Sequence, residues 1–222
     1  TLGEDRRVFI THAHSDHTYG FSTHATKHAT PETVRIYEAL MERQVSNCQT
    51  LKIGERLRVG DAEIKVLNAG HMLGSCQYLI MTPEFTAVYT GDINCVNTLT
   101  TEAAEEVQCD YLVIEGTYGH PSYVFPKRET LYADIVRWAM TEIRNGKIPA
   151  FQVYSSGKPQ EVIRLFNVYT KIPVVCSPAI ARASYAHKEK GMRLEYSESS
   201  SPESRHMLKA GGCIYVTTTG GD

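Results

Sequence analysis

Residues 8–17 read VFITHAHSDH, and how this stretch is understood decides the fold. VFIT has the β-branched and aromatic character of a short buried strand, and the chain runs straight from it into three histidines and an aspartate. His12 and His14, two residues apart at a strand end, cannot both enter the same core. Emerging into a loop, they converge on one ion. Asp16 and His17 follow at once and offer donors to a second. Zinc takes nitrogen and oxygen ligands of this kind. The competing reading, surface histidines clustered by chance, weakens as further pieces are added.

Those pieces also sit at strand ends. EIKVLN (63–68) is a predicted strand that ends at Gly70-His71, in GHMLGS, and TAVYT (86–90) is one that ends at Gly91-Asp92. A carboxylate at Asp92 can bridge two metals held about 3.5–4 Å apart. An isolated Gly-Asp is usually a turn, and an isolated His usually a loop residue. Three separated elements each delivering ligands is a different matter, and it points to two-metal hydrolysis. The ions would lower the pKa of a shared water, present it as hydroxide, and stabilise charge on a phosphoryl or carbonyl oxygen. Glu115 closes the strand YLVIE, where it can either orient a ligand imidazole or simply cap a turn. Ser156-Gly157-Lys158 precedes a helix with Pro159 near its first position, so its amides, hydroxyl and ammonium suit a phosphate. Plain helix capping explains that segment equally well, and the P-loop pattern is absent. His24 and His28 are expected on the surface or in a loop.

Further along, Thr30-Pro31-Glu32 is a helix start, with the helix running to about residue 44. TLKIGERLRVG (50–60) reads as a hairpin, and CQYLIMT (76–82) as a strand. Past Pro121 the texture changes to alternating helix (127–145), strand (149–154), helix, strand (171–177), helix (178–190) and strand (213–219), the order of a parallel sheet. We therefore expect an α/β chain with domains at 1–122 and 123–222. The 222 residues carry a net charge of −2, but 1–119 hold 9 basic and 16 acidic residues while 120–222 hold 14 and 9. An acidic, metal-chelating half beside a basic half suits a polyanionic substrate, although chance asymmetry would look the same. The six cysteines form no C-x-x-C pair, which fits reduced, mostly buried thiols and a cytoplasmic location. No apolar run approaches membrane-spanning length, so no membrane partner is expected.

With these residues assembled, the sequence resembles the metallo-β-lactamase superfamily, and within it the β-CASP nucleases of RNA processing and DNA repair, mRNA 3′-end processing factors among them. HAHSDH matches the HxHxDH signature, GHMLGS the second histidine motif and TGD the aspartate motif. The resemblance implies one zinc on His12, His14 and His71, a second on Asp16 and His17, and Asp92 bridging, with Asp16, Asp92 and Glu115 in catalytic roles. It also implies a metallo-β-lactamase-like αββα sandwich, incomplete at both ends, followed by a compact β-CASP-like α/β domain that is truncated or returns to the first. Within that domain Ser156, Gly157 and Lys158 are the candidate nucleic-acid contacts. The implied function is zinc-dependent cleavage of phosphodiester bonds in single-stranded RNA or DNA. The alternatives are a small-molecule ester or thioester hydrolase and a non-catalytic scaffold of an RNA-processing complex. Homodimers are common among such relatives. The family's last ligand histidine has no counterpart here: His187 and His206 lack its surroundings, so the chain is expected to be a fragment or to have its remaining pieces elsewhere.

Overall fold

The computed structural model describes residues 7–23 and 25–218. The chain divides into two compact units, Thr1–Asn97 with Thr101–Pro121, and Thr98–Thr100 with Ser122–Asp222. Among the described residues no helix is long and apolar enough to cross a membrane.

The first unit opens with β1 (Arg7–Phe9), a 3-10 turn (Ser15–His17) and the single-turn α1 (Gly20–Thr23). β2 (Thr26–Ala29), α2 (Pro31–Met41) and β3 (Cys48–Thr50) follow, and β1, β2 and β3 pair in parallel in that order. A second sheet is made of β4 (Arg56–Val59), β5 (Ala62–Asn68), β6 (Cys76–Met81), β7 (Thr86–Tyr89) and β8 (Tyr111–Val113). Its pairings are antiparallel except the last, β7 with β8, which is parallel.

The period-2 geometry of β1 stacks these layers. Val8 and Ile10 face a helical layer with Phe21, Val34 and Tyr37, whereas Phe9 faces Ile64, Val66, Cys76 and Tyr78 of the second sheet. Tyr78 donates its hydroxyl proton to the Ile10 carbonyl at 2.8 Å and the Cys76 amide reaches the Thr11 carbonyl at 2.9 Å, tying sheet to sheet. On the far side of the second sheet Leu67, Leu79 and Val88 form their own cluster with Cys109. The mixed α/β sandwich expected from the sequence is therefore present.

Direction, more than pairing, places the chemistry. β5, β7 and β8 all run the same way, so their carboxyl ends lie along one end of the sheet. His71, Asp92 and Glu115 each follow one of those ends by two or three residues.

The second unit contains α3 (Arg128–Arg144), β9 (Ala150–Val153), α4 (Lys158–Tyr169), β10 (Val174–Cys176), α5 (Pro178–Glu189), β11 (Ser197–Glu198), α6 (Pro202–Ala210) and β12 (Ile214–Thr218). Its four strands are parallel, in the order β11-β10-β12-β9, around a core of Ile163, Phe166, Val174, Ile180, Ile214 and Val216.

Several local expectations need correction. Residues 50–60 do not close a hairpin. Thr50 ends β3 in the parallel sheet, while β4 pairs with β5 across a tight turn at Gly60-Asp61. The polar run TKHA (26–29) is a strand, and its buried Lys27 satisfies its ammonium by donating to the Ser46 carbonyl at 2.9 Å. His28, expected at the surface, is 1% exposed and stacks on Phe9 with ring centroids 4.5 Å apart. His24 lies outside the described residues. All six cysteines are free, but Cys95 is exposed, and Cys48 and Cys109 are half-buried.

Candidate metal centre

His12 and His14 lie just past β1, and His12 is fully buried. Its Nδ1 faces the Thr11 hydroxyl at 3.0 Å, which leaves Nε2 to point away into the cluster. There it stands 3.2 Å from His14 Nδ1, and His71 Nε2 stands 3.2 Å from that same nitrogen. Asp92 Oδ2 is 3.6 Å from Nε2 of both His12 and His71. All four side chains thus turn one donor atom each into a space where these atoms lie within 4.8 Å of one another. Donors bound at 2.0–2.1 Å around a tetrahedral ion stand roughly 3.3 Å apart, so the spacing is that of a ligand shell. Burial drives the His12 pKa down, and His14, His17 and His71 drive it further, to about 2. The ring is neutral, with a lone pair free for a cation.

The other oxygen of Asp92 looks elsewhere. Oδ1 is 3.4 Å from His17 Nε2, which in turn is 3.6 Å from Asp16 Oδ2. Asp92 therefore presents one oxygen to each of two histidine groups. The first group is closed; the second is open on the side of Asp16, whose side chain is largely exposed. Among the described residues only His12, His14, His71 and Asp92 form a closed set.

Backbone packing explains why glycine precedes two of these ligands. Gly91 has φ +56°, and a Cβ there would lie 2.7 Å from Thr11 Cβ. Gly70 has φ +69°, and its Cβ would lie 2.4 Å from the Asn94 carbonyl oxygen. Any side chain would push the following ligand away from the cluster. The turn carrying His71 is held twice more. Ser75 Oγ accepts the amide protons of His71 and Met72, both at 3.1 Å. The Gly74 carbonyl accepts the hydroxyl protons of Thr30 (2.6 Å) and Thr33 (3.0 Å) at the start of α2. Thr11, Ser75, Thr30 and Thr33 support the site without announcing it in the sequence, because hydroxyl residues are common and only the fold reveals what they touch.

Glu115 Oε1 accepts the Ile93 amide proton at 2.8 Å, so it fixes the backbone beside Asp92. Burial pushes its pKa up, but hydrogen bonds from Thr117 and Ile93 and the nearby His71 bring it below the usual range, and it is ionised.

In the second unit, the loop before α4 spends its polar groups internally. Ser156 is buried, the Gly157 amide donates to Gln160 Oε1 at 2.7 Å, and Lys158 Nζ donates to Glu161 Oε2 at 2.8 Å. Glu161 also accepts from Tyr132 (2.5 Å) and Arg128 (3.3 Å), forming a largely buried ionic network. His187 is buried in α5 and His206 is exposed on α6.

Comparison with known proteins places the chain in a family. Residues 5–146 match the family described as the β-lactamase superfamily domain. An "RNase J-like protein" of Methanocaldococcus jannaschii is 29% identical over 184 residues, covering 74% of this chain and 44% of that protein. A "Probable DNA ligase" of Opitutus terrae is 27% identical over 189 residues, covering 84% of this chain and 18% of that protein. The chain thus spans less than half the length of either. Among solved structures, a protein of unknown function from Enterococcus faecalis superposes with a TM-score of 0.66 at 17% identity, over 99% of this chain and 59% of its own.

Proposed function

Because this chain belongs to the metallo-β-lactamase superfamily, in its β-CASP nuclease branch, we propose that it is a zinc-dependent phosphodiesterase acting on single-stranded RNA or DNA. The observation that carries the reading is the convergence of His12, His14, His71 and Asp92, with the second Asp92 oxygen turned toward His17.

His12, His14 and His71 would hold one zinc, Asp16 and His17 the other, and Asp92 both. When bound, the ions supply Lewis acidity toward a phosphoryl oxygen and activate water as the nucleophile. The chain's own residues prepare that event. Thr11 fixes which imidazole nitrogen of His12 faces the cluster, and Gly91 brings Asp92 close to β1. Glu115 holds the backbone that follows Asp92. In the second unit, Lys158 keeps a half-exposed ammonium that can reach a phosphate at the cost of loosening its bond to Glu161. Ser156 and Gly157 would then act mainly by presenting it.

The test is cleavage of end-labelled single-stranded RNA and its DNA counterpart by zinc-loaded protein, with Asp92→Asn alongside. We expect cleavage by the wild type and a loss of at least about 100-fold in the variant. Hydrolysis of a small ester or thioester with no attack on either strand would overturn the nuclease reading in favour of a small-molecule hydrolase. Failure of the wild type to retain zinc would favour a scaffold.

A further inference from the structure

α4 buries Val162, Ile163, Leu165 and Phe166 and leaves a second stripe facing outward. Arg164, Asn167, Val168 and, just past the helix end, Lys171 follow one another at helical spacing along that stripe. Opposite them runs the extended segment 193–195. Together Arg164, Asn167, Val168, Lys171, Arg193 and Glu195 line a cavity of about 280 Å³.

The walls are built. Asn167 Oδ1 accepts the Glu195 amide proton at 2.7 Å, and its Nδ2 donates to the Glu195 carbonyl at 2.9 Å. Arg164 donates to the Arg193 carbonyl at 2.9 Å. One side-chain amide therefore pins the segment to the helix by two bonds, and the Arg164 guanidinium is held against the same backbone.

Charge then singles the cavity out. Three cations and one carboxylate line it, and that carboxylate, Glu195, is taken by Arg193 (Nε to Oε1, 2.6 Å). Among the described residues no carboxylate pairs with Arg164 or Lys171. Cations gathered without counter-charge repel one another, and an anion between them relieves that cost. The cationic lining favours an anionic phosphate over a neutral base. Guanidinium groups match phosphate oxygens in geometry, and a lysine adds a mobile point charge.

We propose that this groove is a phosphodiester-binding subsite of the second unit that holds the backbone of the single-stranded substrate. The proposal rests on the nuclease reading. Recognition here is of charge and spacing, without base identity, and it gives the basic second half of the chain a specific task.

The test is binding of a fluorescein-labelled single strand, followed by anisotropy between about 50 and 200 mM salt. It is made with the whole zinc-loaded protein in the Asp92→Asn background so that the strand stays intact. Arg164→Ala and Lys171→Ala should each weaken binding several-fold and each reduce the slope of log affinity against log salt by about 0.7. Lys209→Ala removes the same charge from an exposed position of α6 outside the groove and should leave that slope unchanged. Among the described residues the Lys171 side chain makes no hydrogen bond that its loss would break, so this variant keeps the test free of folding effects. If the groove variants behave like Lys209→Ala while the wild type still binds and cleaves the strand, the subsite is refuted and the nuclease reading stands. If the wild type neither binds nor cleaves, both fall together.

Discussion

His12 and His28 are both buried imidazoles, and they differ in what meets their nitrogens. His12 has Thr11 on one side and the ligand cluster on the other. His28 has no hydrogen-bond partner for either ring nitrogen among the described residues, only the face of Phe9. Burial lowers the His28 pKa, and Arg7 lowers it further. A histidine held neutral in the fold gains its proton more readily when unfolded, so it costs stability increasingly as pH falls below about 6.5. His28→Phe should therefore stabilise the protein. We expect a rise of several degrees in melting temperature at pH 5 and a smaller one at pH 8; an equal rise at both would show that protonation plays no part. At this scale the sequence was informative where chemistry is local. HAHSDH, GHMLGS and TGD could be singled out because few residue types can bind a metal ion, and the fold brings His12, His14, His71 and Asp92 of these motifs together. The burial of His28 could not, because a polar four-residue strand between two partners leaves no apolar period to see.

Elements transmit the site's geometry. The amino terminus of α2 was predictable from Thr30-Pro31-Glu32, and Thr30 does accept the Thr33 amide proton, at 3.2 Å. What the cap also does, gripping the Gly74 carbonyl in the His71 turn, is visible only in three dimensions. Thr30→Val should cost about 1 kcal/mol of stability through the lost cap, and should in addition weaken zinc retention in a chelator competition. Unchanged zinc affinity would mean that Ser75 alone holds the turn. In α4, burial raises the Glu161 pKa, but Lys158, Tyr132 and Arg128 together bring it below the ordinary carboxylate value. A carboxyl with a lowered folded pKa stabilises above its unfolded pKa and loses that contribution as pH falls toward the folded one. Glu161→Gln should thus destabilise at pH 7 and leave the variant less sensitive to acid than the wild type, as read from urea midpoints across pH 3–7. A parallel acid limb in both proteins would rule this out. Other elements were missed for identifiable reasons. α6 carries at Ser201-Pro202 the same kind of start signal as α2, and Ser201 caps it at 3.1 Å, but only Ser204 of the helix is buried, so no apolar stripe marks it in the sequence. The hairpin expected at 50–60 is displaced because Gly60-Asp61 is the turn that matches the flanking alternation.

At the scale of the molecule, strand order in each unit follows from the sequence pattern where connections are simple. Alternating strands and helices in the second half do give an all-parallel sheet, although the order β11-β10-β12-β9 depends on crossovers that periodicity does not encode. The first unit's sheet ends on β8, where Tyr111, Leu112, Val113 and Ile114 are each more than half exposed. An apolar strand with an open edge is a template for further pairing. The 222-residue chain should therefore scatter light increasingly with concentration, and Leu112→Lys should suppress this without altering zinc content. Equal scattering by the variant would move the association to another surface. The shared direction of β5, β7 and β8 has a practical consequence as well. Every ligand of the second sheet leaves from one end, so the turns at Gly60-Asp61 and Thr82–Phe85 belong to the opposite end, and Glu84 there is exposed. Those turns are the natural attachment points for a dye, a spin label or an immobilisation tag, where a reporter is carried at the rim opposite His71 and Asp92.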